Sequence, residues 1–375
     1  MSEVMVAGGW IGGLILLPWL LIGLAGAHLP DSLAVLRNAP WELWRLTPVV
    51  SVPLFVIGCL YVRGLRGLEA AGMRPSAWQQ VSFFAALAAI FAALQSPIEA
   101  LADHSLAMNM VAHMLLRSTA PALLMLAQPR AVLVRGLPSG FRRRIIAPLA
   151  NNRGARVLVG LLSHPLPATV LFVGVLYVWM LPRWQDLALS DGGVRDLMNV
   201  TLLLSGVIFF WCLFDMRAAS GGPTIGTRLL MIWGAELANV LIGYYLTYAS
   251  HPIYPAYAQL GLVWGISPLA NQNYGGQTLW VCDTMTIAFA AMLVIYLWSR
   301  DEGRFRAHAH DAVRASLDLD AHFARQRAGN RRVALALLGF VGMIVAVMSL
   351  SVGFYVVHYR RAERRPAPIS LNQIP

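Results

Sequence analysis

Long apolar runs are the feature that most restricts what this chain can fold into. Nine stretches are apolar over about 20 residues, the length of a helix that crosses a bilayer. The runs are 4–28, 47–64, 78–97, 107–128, 156–181, 195–216, 228–250, 277–299 and 333–357. The sequence therefore predicts an all-α fold, a polytopic transmembrane helical bundle of about nine spans.

The composition agrees with lipid as the main solvent. Only 13% of the 375 residues are charged and 58% are hydrophobic, whereas a soluble domain carries about 25% charged residues. The three cysteines lie inside apolar runs without a C-x-x-C pair, which argues against a disulfide framework. No Ser-His-Asp set, nucleotide loop or catalytic carboxylate pair is visible, so we expect a protein that is not an enzyme.

The arginines predict the orientation. All 29 basic residues are arginines, and they lie between the apolar runs, which favours membrane orientation over nucleic-acid binding. Twenty of them lie in loops 63–77, 128–156, 216–228 and 299–332, and four lie in the alternate loops 29–46, 98–106, 182–195 and 251–276. Because short basic loops stay in the cytoplasm, we expect the N-terminus inside and the second set at the outer end of the bundle. The tail after the ninth run, with four arginines, is the exception to this count.

Polar residues inside the runs mark the candidate site. Asn109, His113 and Arg117 recur every four residues and therefore share one helical face. At about 1.5 Å per residue, Arg117 and Glu236 both lie near the midplane. A midplane arginine without a carboxylate is costly, so we predict a buried ion pair between Arg117 and Glu236.

Soft side chains lie near this face. His113 is expected about 9 Å below the outer surface, and Cys282 and Asp283 about as deep. Imidazole, thiolate and nearby methionine thioethers such as Met110 form a ligand set that suits Cu(I). Spacing alone leaves another interpretation open, because methionine also fills gaps in cores and buried cysteine behaves as a small hydrophobe.

Several ordered segments are similar to the CtaG-type cytochrome c oxidase assembly factor family. The leading ones are Ser96-Pro97-Ile98-Glu99-Ala100-Leu101-Ala102, Met110-Val111-Ala112-His113-Met114-Leu115-Leu116 and Ala120-Pro121. Others are Tyr61-Val62-Arg63-Gly64-Leu65-Arg66, Trp179-Met180-Leu181-Pro182 and Leu204-Ser205-Gly206. The order and spacing of these pieces carry the resemblance, since no single piece is specific.

The resemblance divides the chain into four parts. Residues 47–300 correspond to the seven-span core of the family. Residues 1–46 are then an additional N-terminal span with an outer loop, 301–332 a cytoplasmic basic loop, and 333–375 an additional C-terminal span and tail.

What the resemblance implies is a copper chaperone of the bacterial cytoplasmic (inner) membrane, with lipid and haem-copper oxidase subunits as partners. In that interpretation His113 is the principal copper ligand. Met110, Met180 and Cys282 are auxiliary ligands. Asn109 and Asn199 orient the site as hydrogen-bond donors, with Asp283 beside them.

The chain departs from the family at several of these positions. The family usually has His-Met-x-x-His where this chain has Asn109-Met110-Val111-Ala112-His113. Met180 stands where the family typically has a histidine, and Met198-Asn199 where it often has Glu-His. The departures leave two alternatives open, a reorganised Cu(I) site or a buried ion-pair network that holds the bundle together without the metal.

Two further functions stay open on the sequence. Arg117, Glu236 and Asp283 could line a path for protons or a small anion in a transporter, although no matched pair of broken helices is visible. The chain could also be a stable, non-catalytic subunit of a respiratory complex. The oligomeric state is not predicted.

Overall fold

Every regular element that the structure describes is a helix. The structure is a computed structural model that describes residues 42–70, 72, 75–214, 224–260 and 266–295. These residues belong to the first of two units of the chain, residues 1–299. The first and ninth predicted spans, the loop 299–332 and the C-terminal tail lie outside the described residues.

Six helices are long and apolar enough to cross a membrane, and a bent pair brings the number to seven within the described part of the chain. The all-α, multi-span fold predicted from the sequence is therefore confirmed. In chain order the helices are α1 (Pro48–Glu69), α2 (Ala77–Gln95), α3 (Pro97–Ala102), α4 (Leu106–Ala127), α5 (Arg130–Gly136), α6 (139–151), α7 (Arg153–Leu162), α8 (Pro165–Trp179), α9 (Pro182–Ser190), α10 (Gly192–Phe214), α11 (Ile225–Tyr248), α12 (Pro255–Leu260) and α13 (Pro268–Ile295).

Prolines and capping residues set where many of these helices begin. Six of them, α1, α3, α8, α9, α12 and α13, have proline in the first turn, where the missing N–H has no helical partner to lose. Ser76 and Gln79 form a capping box at the start of α2. Helix α4 ends at Gln128, whose φ of 45° is left-handed and stops the helix.

The predicted fifth span, 156–181, is two helices. Helices α7 and α8 meet at a bend of 74°, because His164 precedes a proline and adopts an extended conformation. None of the side chains of α7 is buried, and Val157, Leu158 and Leu161 expose an apolar face. The sequence placed both helices in one straight span because both are apolar enough.

The core lies around α4 and α10. The apolar window of α10 is 67% buried and that of α4 is 50% buried, whereas that of α1 is 22% buried. Leu116 and Ala120 of α4 pack with Leu203 of α10 and with Ala93 of α2. The side chains of α10, followed by those of α4, are thus the best shielded from lipid among the described spans.

Glycine allows the central helices to approach closely. A Cβ atom on Gly206 of α10 would lie 2.0 Å from the carbonyl oxygen of Arg117 on α4. A Cβ atom on Gly64 of α1 would lie 1.9 Å from the carbonyl oxygen of Val132 on α5. Small residues at such contacts let helix backbones pack against each other within a membrane.

Candidate functional site

The polar face predicted for α4 is buried in the bundle. Asn109, His113 and Arg117 are each 1% exposed. Asn109 donates to the hydroxyl of Tyr257, 3.0 Å away, whereas Arg117 lies two helical turns further along the chain. The face therefore connects the predicted outer end of the bundle with its centre.

Arg117 lies in a saturated hydrogen-bond network. Its Nη1 contacts Oδ2 of Asp283 at 2.8 Å, its Nη2 donates to Oδ1 of Asn239 at 3.2 Å, and its Nε donates to the carbonyl oxygen of Phe172 at 3.3 Å. The Asp283 carboxylate also accepts from Ser118 at 2.5 Å and from the Asn239 amide at 2.6 Å. The Arg117 Cζ atom lies 3.6 Å from the centre of the Phe172 ring, within range of a cation–π interaction. All guanidinium nitrogens and both carboxylate oxygens have partners, as a buried ion pair requires.

The structure thus assigns Asp283 to Arg117, where the sequence assigned Glu236. The sequence placed Asp283 too close to the outer surface, because the eighth apolar run begins at residue 277. The helix begins at Pro268, so Asp283 lies about 22 Å along the axis from its start. Glu236 interacts with Arg117 electrostatically but makes no ion pair with it among the described residues.

Two π-helical turns shape this network. Arg117 lies within the π-helical segment Leu115–Thr119 of α4, and Asp283 directly follows the π-helical segment Thr278–Cys282 of α13. A π turn widens the helix and changes the direction of the following side chains, and such turns are frequent at functional sites. Both members of the ion pair are therefore positioned by local departures from α-helical geometry.

Glu236 is buried on α11 beside this network. It is 2% exposed, and its Oε1 accepts a hydrogen bond from the Thr284 hydroxyl. Its Oε2 has no hydrogen-bond partner within the described residues. An unsatisfied buried oxygen is costly, so Glu236 is less well satisfied than Arg117 and Asp283 beside it.

His113 is buried without any hydrogen bond. The side chain is 1% exposed, and neither Nδ1 nor Nε2 has a partner within the part of the chain that is described. Leaving a buried polar group unpaired costs about 1–3 kcal/mol. A neutral imidazole with a free nitrogen is also the commonest metal ligand, so this arrangement has the chemistry of a ligand.

Both predicted methionine ligands belong to one apolar cluster, and Met110 lies one helical turn before His113. Met110 precedes His113 by three residues on α4, a spacing that makes the two side chains neighbours on the helix surface. Met110 and Met180 are 0% and 4% exposed and belong to one apolar cluster with Leu176 and Leu279. An imidazole and two thioethers in a water-poor environment form a donor set that fits Cu(I).

Two other predicted site residues are not members of this cluster. Cys282 is only half-buried and is not a member of the apolar cluster around Met110. Asn199 is buried on α10. Among the described residues, no three His, Cys, Asp or Glu side chains converge on one point. A copper site here must therefore rely on methionine.

A second ionic network lies at the predicted outer end. Arg195 donates to Glu99 at 2.6 Å and to Asp103 at 2.5 Å, and Arg45 contacts the other oxygen of Asp103 at 3.1 Å. Arg195 and Glu99 are 3% and 5% exposed. This network fixes the start of α10 against α3 and the residues before α1.

Tyr257 connects the outer network to the face of α4. Its hydroxyl accepts hydrogen bonds from Asn109 and from Gln185, the latter at 3.2 Å, and lies 3.5 Å from the carbonyl oxygen of Ala102. Burial raises the pKa of Tyr257 to about 12, partly offset by the hydrogen bonds from Gln185 and Asn109. The hydroxyl therefore stays protonated at physiological pH.

The outer network was not predicted from the sequence. Arg195 and Arg45 were counted only as loop arginines, and Glu99 only as part of a family segment. Glu99 follows Ser96-Pro97, and α3 places Glu99 and Asp103 one turn apart, which was the available signal. Their common partner, Arg195, lies too far along the chain for spacing to reveal it.

The fold and this site define a helical membrane protein with a polar centre shielded from lipid. Residues 59–301 match the family described as cytochrome c oxidase caa3 assembly factor (Caa3_CtaG). The chain belongs to this family, as the sequence resemblance indicated.

Mycobacterial proteins are among its relatives. The chain is 24% identical over 313 residues to an uncharacterized protein of Mycobacterium leprae, and 23% identical over 315 residues to an uncharacterized protein of Mycobacterium bovis. Each alignment covers 80% of this chain and 46% of the relative, so the chain spans about half the length of these relatives. No solved structure matches the chain.

Proposed function

We propose that this protein is a non-catalytic assembly factor that holds Cu(I) for a haem-copper oxidase. Family membership supports the assembly role. The observation that carries the copper role is His113, a buried imidazole with two unpaired nitrogens next to Met110. Met180, in the same apolar cluster as Met110, completes the proposed set.

Each member of the proposed set has a distinct role. The His113 nitrogen provides the strongest bond to the ion, and the two thioethers favour Cu(I) over harder ions. The cluster excludes water, which protects the ion from exchange before transfer to the oxidase. Cys282, half-buried outside the cluster, is left out of the set.

Cu(I) titration of the purified protein in detergent tests the proposal. We expect the wild type to bind Cu(I), His113→Ala to lose most of the affinity, and Met110→Leu and Met180→Leu to lose part of it. The matched control is His251→Ala, which removes an exposed histidine. Equal affinity and stoichiometry in the wild type and His113→Ala would remove His113 from the site.

The assembly role has its own test. An assembly factor associates transiently with the oxidase, whereas a stable subunit co-purifies with the mature enzyme in fixed stoichiometry. We expect cells that lack this protein to contain oxidase subunits but little assembled oxidase. Stoichiometric co-purification with active oxidase would favour the subunit alternative instead.

The proposed site lies nearer the predicted outer end, which we assign to the outside of the cytoplasmic membrane. Two of the four arginines counted at that end, Arg45 and Arg195, are paired with Glu99 and Asp103. The orientation depends on the arginine count itself, twenty in one set of loops against four in the other. Fusions of a reporter that is active only in the periplasm, placed after residues 103 and 139, test this orientation. We expect activity after residue 103, whereas activity only after residue 139 would show the opposite orientation.

A further inference from the structure

An open groove runs between α1 and α2 and shares no residue with the apolar cluster around Met110. Its volume is about 720 Å³. Most of its lining is apolar and comes from Leu54, Phe55, Gly58 and Val62 of α1 and from Phe84 and Leu87 of α2. The side chains of Phe55 and Phe84 are 73% and 43% exposed, so the described residues leave the groove uncovered.

One end of the groove is positively charged. Arg63 and Arg66, one helical turn apart on α1, form this end and are exposed. Arg135 of α5 lies beside them, since a Cβ atom on Gly67 would lie 3.2 Å from its Cγ atom. None of these three arginines forms an ion pair with another described residue. Their charge is therefore available to an external anion.

The apolar part of the groove has room for a hydrocarbon chain. A Cβ atom built on Gly58 would meet only the Cδ1 atom of Leu87, at 3.8 Å. A larger side chain at residue 58 would thus occupy the groove without displacing the backbone. The groove is apolar along most of its length and cationic at one end. An anionic phospholipid is complementary to it, because its acyl chains are apolar and its phosphate is negatively charged.

We propose that this groove binds an anionic phospholipid. Its phosphate lies between Arg63 and Arg66, within reach of Arg135, and one acyl chain passes over Gly58 between Phe55 and Phe84. Basic pockets between transmembrane helices bind anionic headgroups in this way. The site is independent of copper, since it shares no residue with the proposed Cu(I) set, and it takes its lipid from the leaflet on the arginine-rich side.

Lipid retention in nanodiscs provides the test. The protein is reconstituted in phosphatidylcholine with phosphatidylglycerol, and retained lipid is identified by native mass spectrometry. We expect bound phosphatidylglycerol in the wild type. The double variant R63Q/R66Q should bind phosphatidylglycerol about 30-fold more weakly, because each arginine near a membrane surface contributes a factor of about five to the affinity. The control is R183Q, which removes an exposed arginine at the other end of the bundle.

A second variant tests the apolar part of the groove. Gly58→Leu fills the groove and should also abolish retention, whereas Gly174→Leu, at a glycine of α8 with no atom within 4 Å of a new Cβ, should not. Thermal unfolding in detergent reports whether each variant folds. Unchanged phosphatidylglycerol retention in Gly58→Leu, equal retention of phosphatidylcholine, or a dimer without lipid would each overturn the proposal.

Discussion

Removing one partner of the buried pair Arg117 and Asp283 leaves the other charge uncompensated in the interior of the bundle. We expect Asp283→Ala to lower the free energy of unfolding by about 3–5 kcal/mol. Glu236→Gln should cost no more than about 1 kcal/mol, because an amide oxygen still accepts the bond from Thr284. Thermal unfolding in detergent measures both.

Comparing Asp283→Ala with Glu236→Gln also shows whether Asp283 or Glu236 is the counter-charge of Arg117. If Glu236 were the counter-charge, Glu236→Gln would be as harmful as Asp283→Ala. The double variant R117M/D283L is the control, since it removes both charges together and should recover most of the stability lost in Asp283→Ala.

The residues of the candidate site could be predicted only in part. The four-residue spacing of Asn109, His113 and Arg117 was sufficient to place them on one buried face. The partner of Arg117 was not predictable, because it depends on where α13 begins and on its π-helical turn. Apolar periodicity contains neither piece of information.

At the level of helices, the contact between α4 and α10 depends on one glycine. Gly206→Ala would place a methyl group 2.0 Å from the Arg117 carbonyl oxygen, so the two helices must separate. We expect a loss of about 1–3 kcal/mol together with weaker Cu(I) binding, because α4 carries His113. Thermal unfolding and Cu(I) titration measure the two effects.

Gly174→Ala is the matched control for Gly206→Ala. It makes the same change in a membrane helix, at a position with no atom within 4 Å of the new Cβ. It should therefore be neutral or slightly stabilising, since alanine favours the helix over glycine. A similar loss in both variants would show that the close approach of α4 and α10 is not the cause.

Hydropathy predicted the interior helices well except where polar residues are buried by protein. Helix α13 begins at Pro268, although its first turns are polar, because Asn271 accepts from the backbone of Leu106 and Gln272 accepts from the backbone of Ile253. A hydropathy scale treats such residues as exposed to water. The break before Pro165 was missed for the opposite reason, since α7 and α8 are both apolar.

For the whole molecule, Tyr257 joins α12 to α3, α4 and α9. Its pKa of about 12 exceeds the value near 10 of an unfolded tyrosine. Its contribution to stability is therefore complete below about pH 10 and is lost as the pH rises through about 12. We expect the Tm of the wild type to fall more steeply over this range than that of Tyr257→Phe.

The control for this pH dependence is Tyr274→Phe, which alters an exposed tyrosine. Its unfolding profile should follow that of the wild type. Parallel profiles for the wild type and Tyr257→Phe would mean that the hydroxyl of Tyr257 does not couple protonation to unfolding.

The π-helical segment Leu115–Thr119 absorbs one residue without changing the register of the helix around it. A π turn contains one residue more than an α turn, so deleting one residue within it would restore an α-helix and leave the two halves of α4 oriented as before. Deleting one residue from the α-helical part between Asn109 and His113 would instead rotate the two halves of α4 by about 100° relative to each other. Asn109 and Arg117 would then face different directions, although both side chains were still present. The position of a single-residue deletion along α4 thus decides whether the polar face survives.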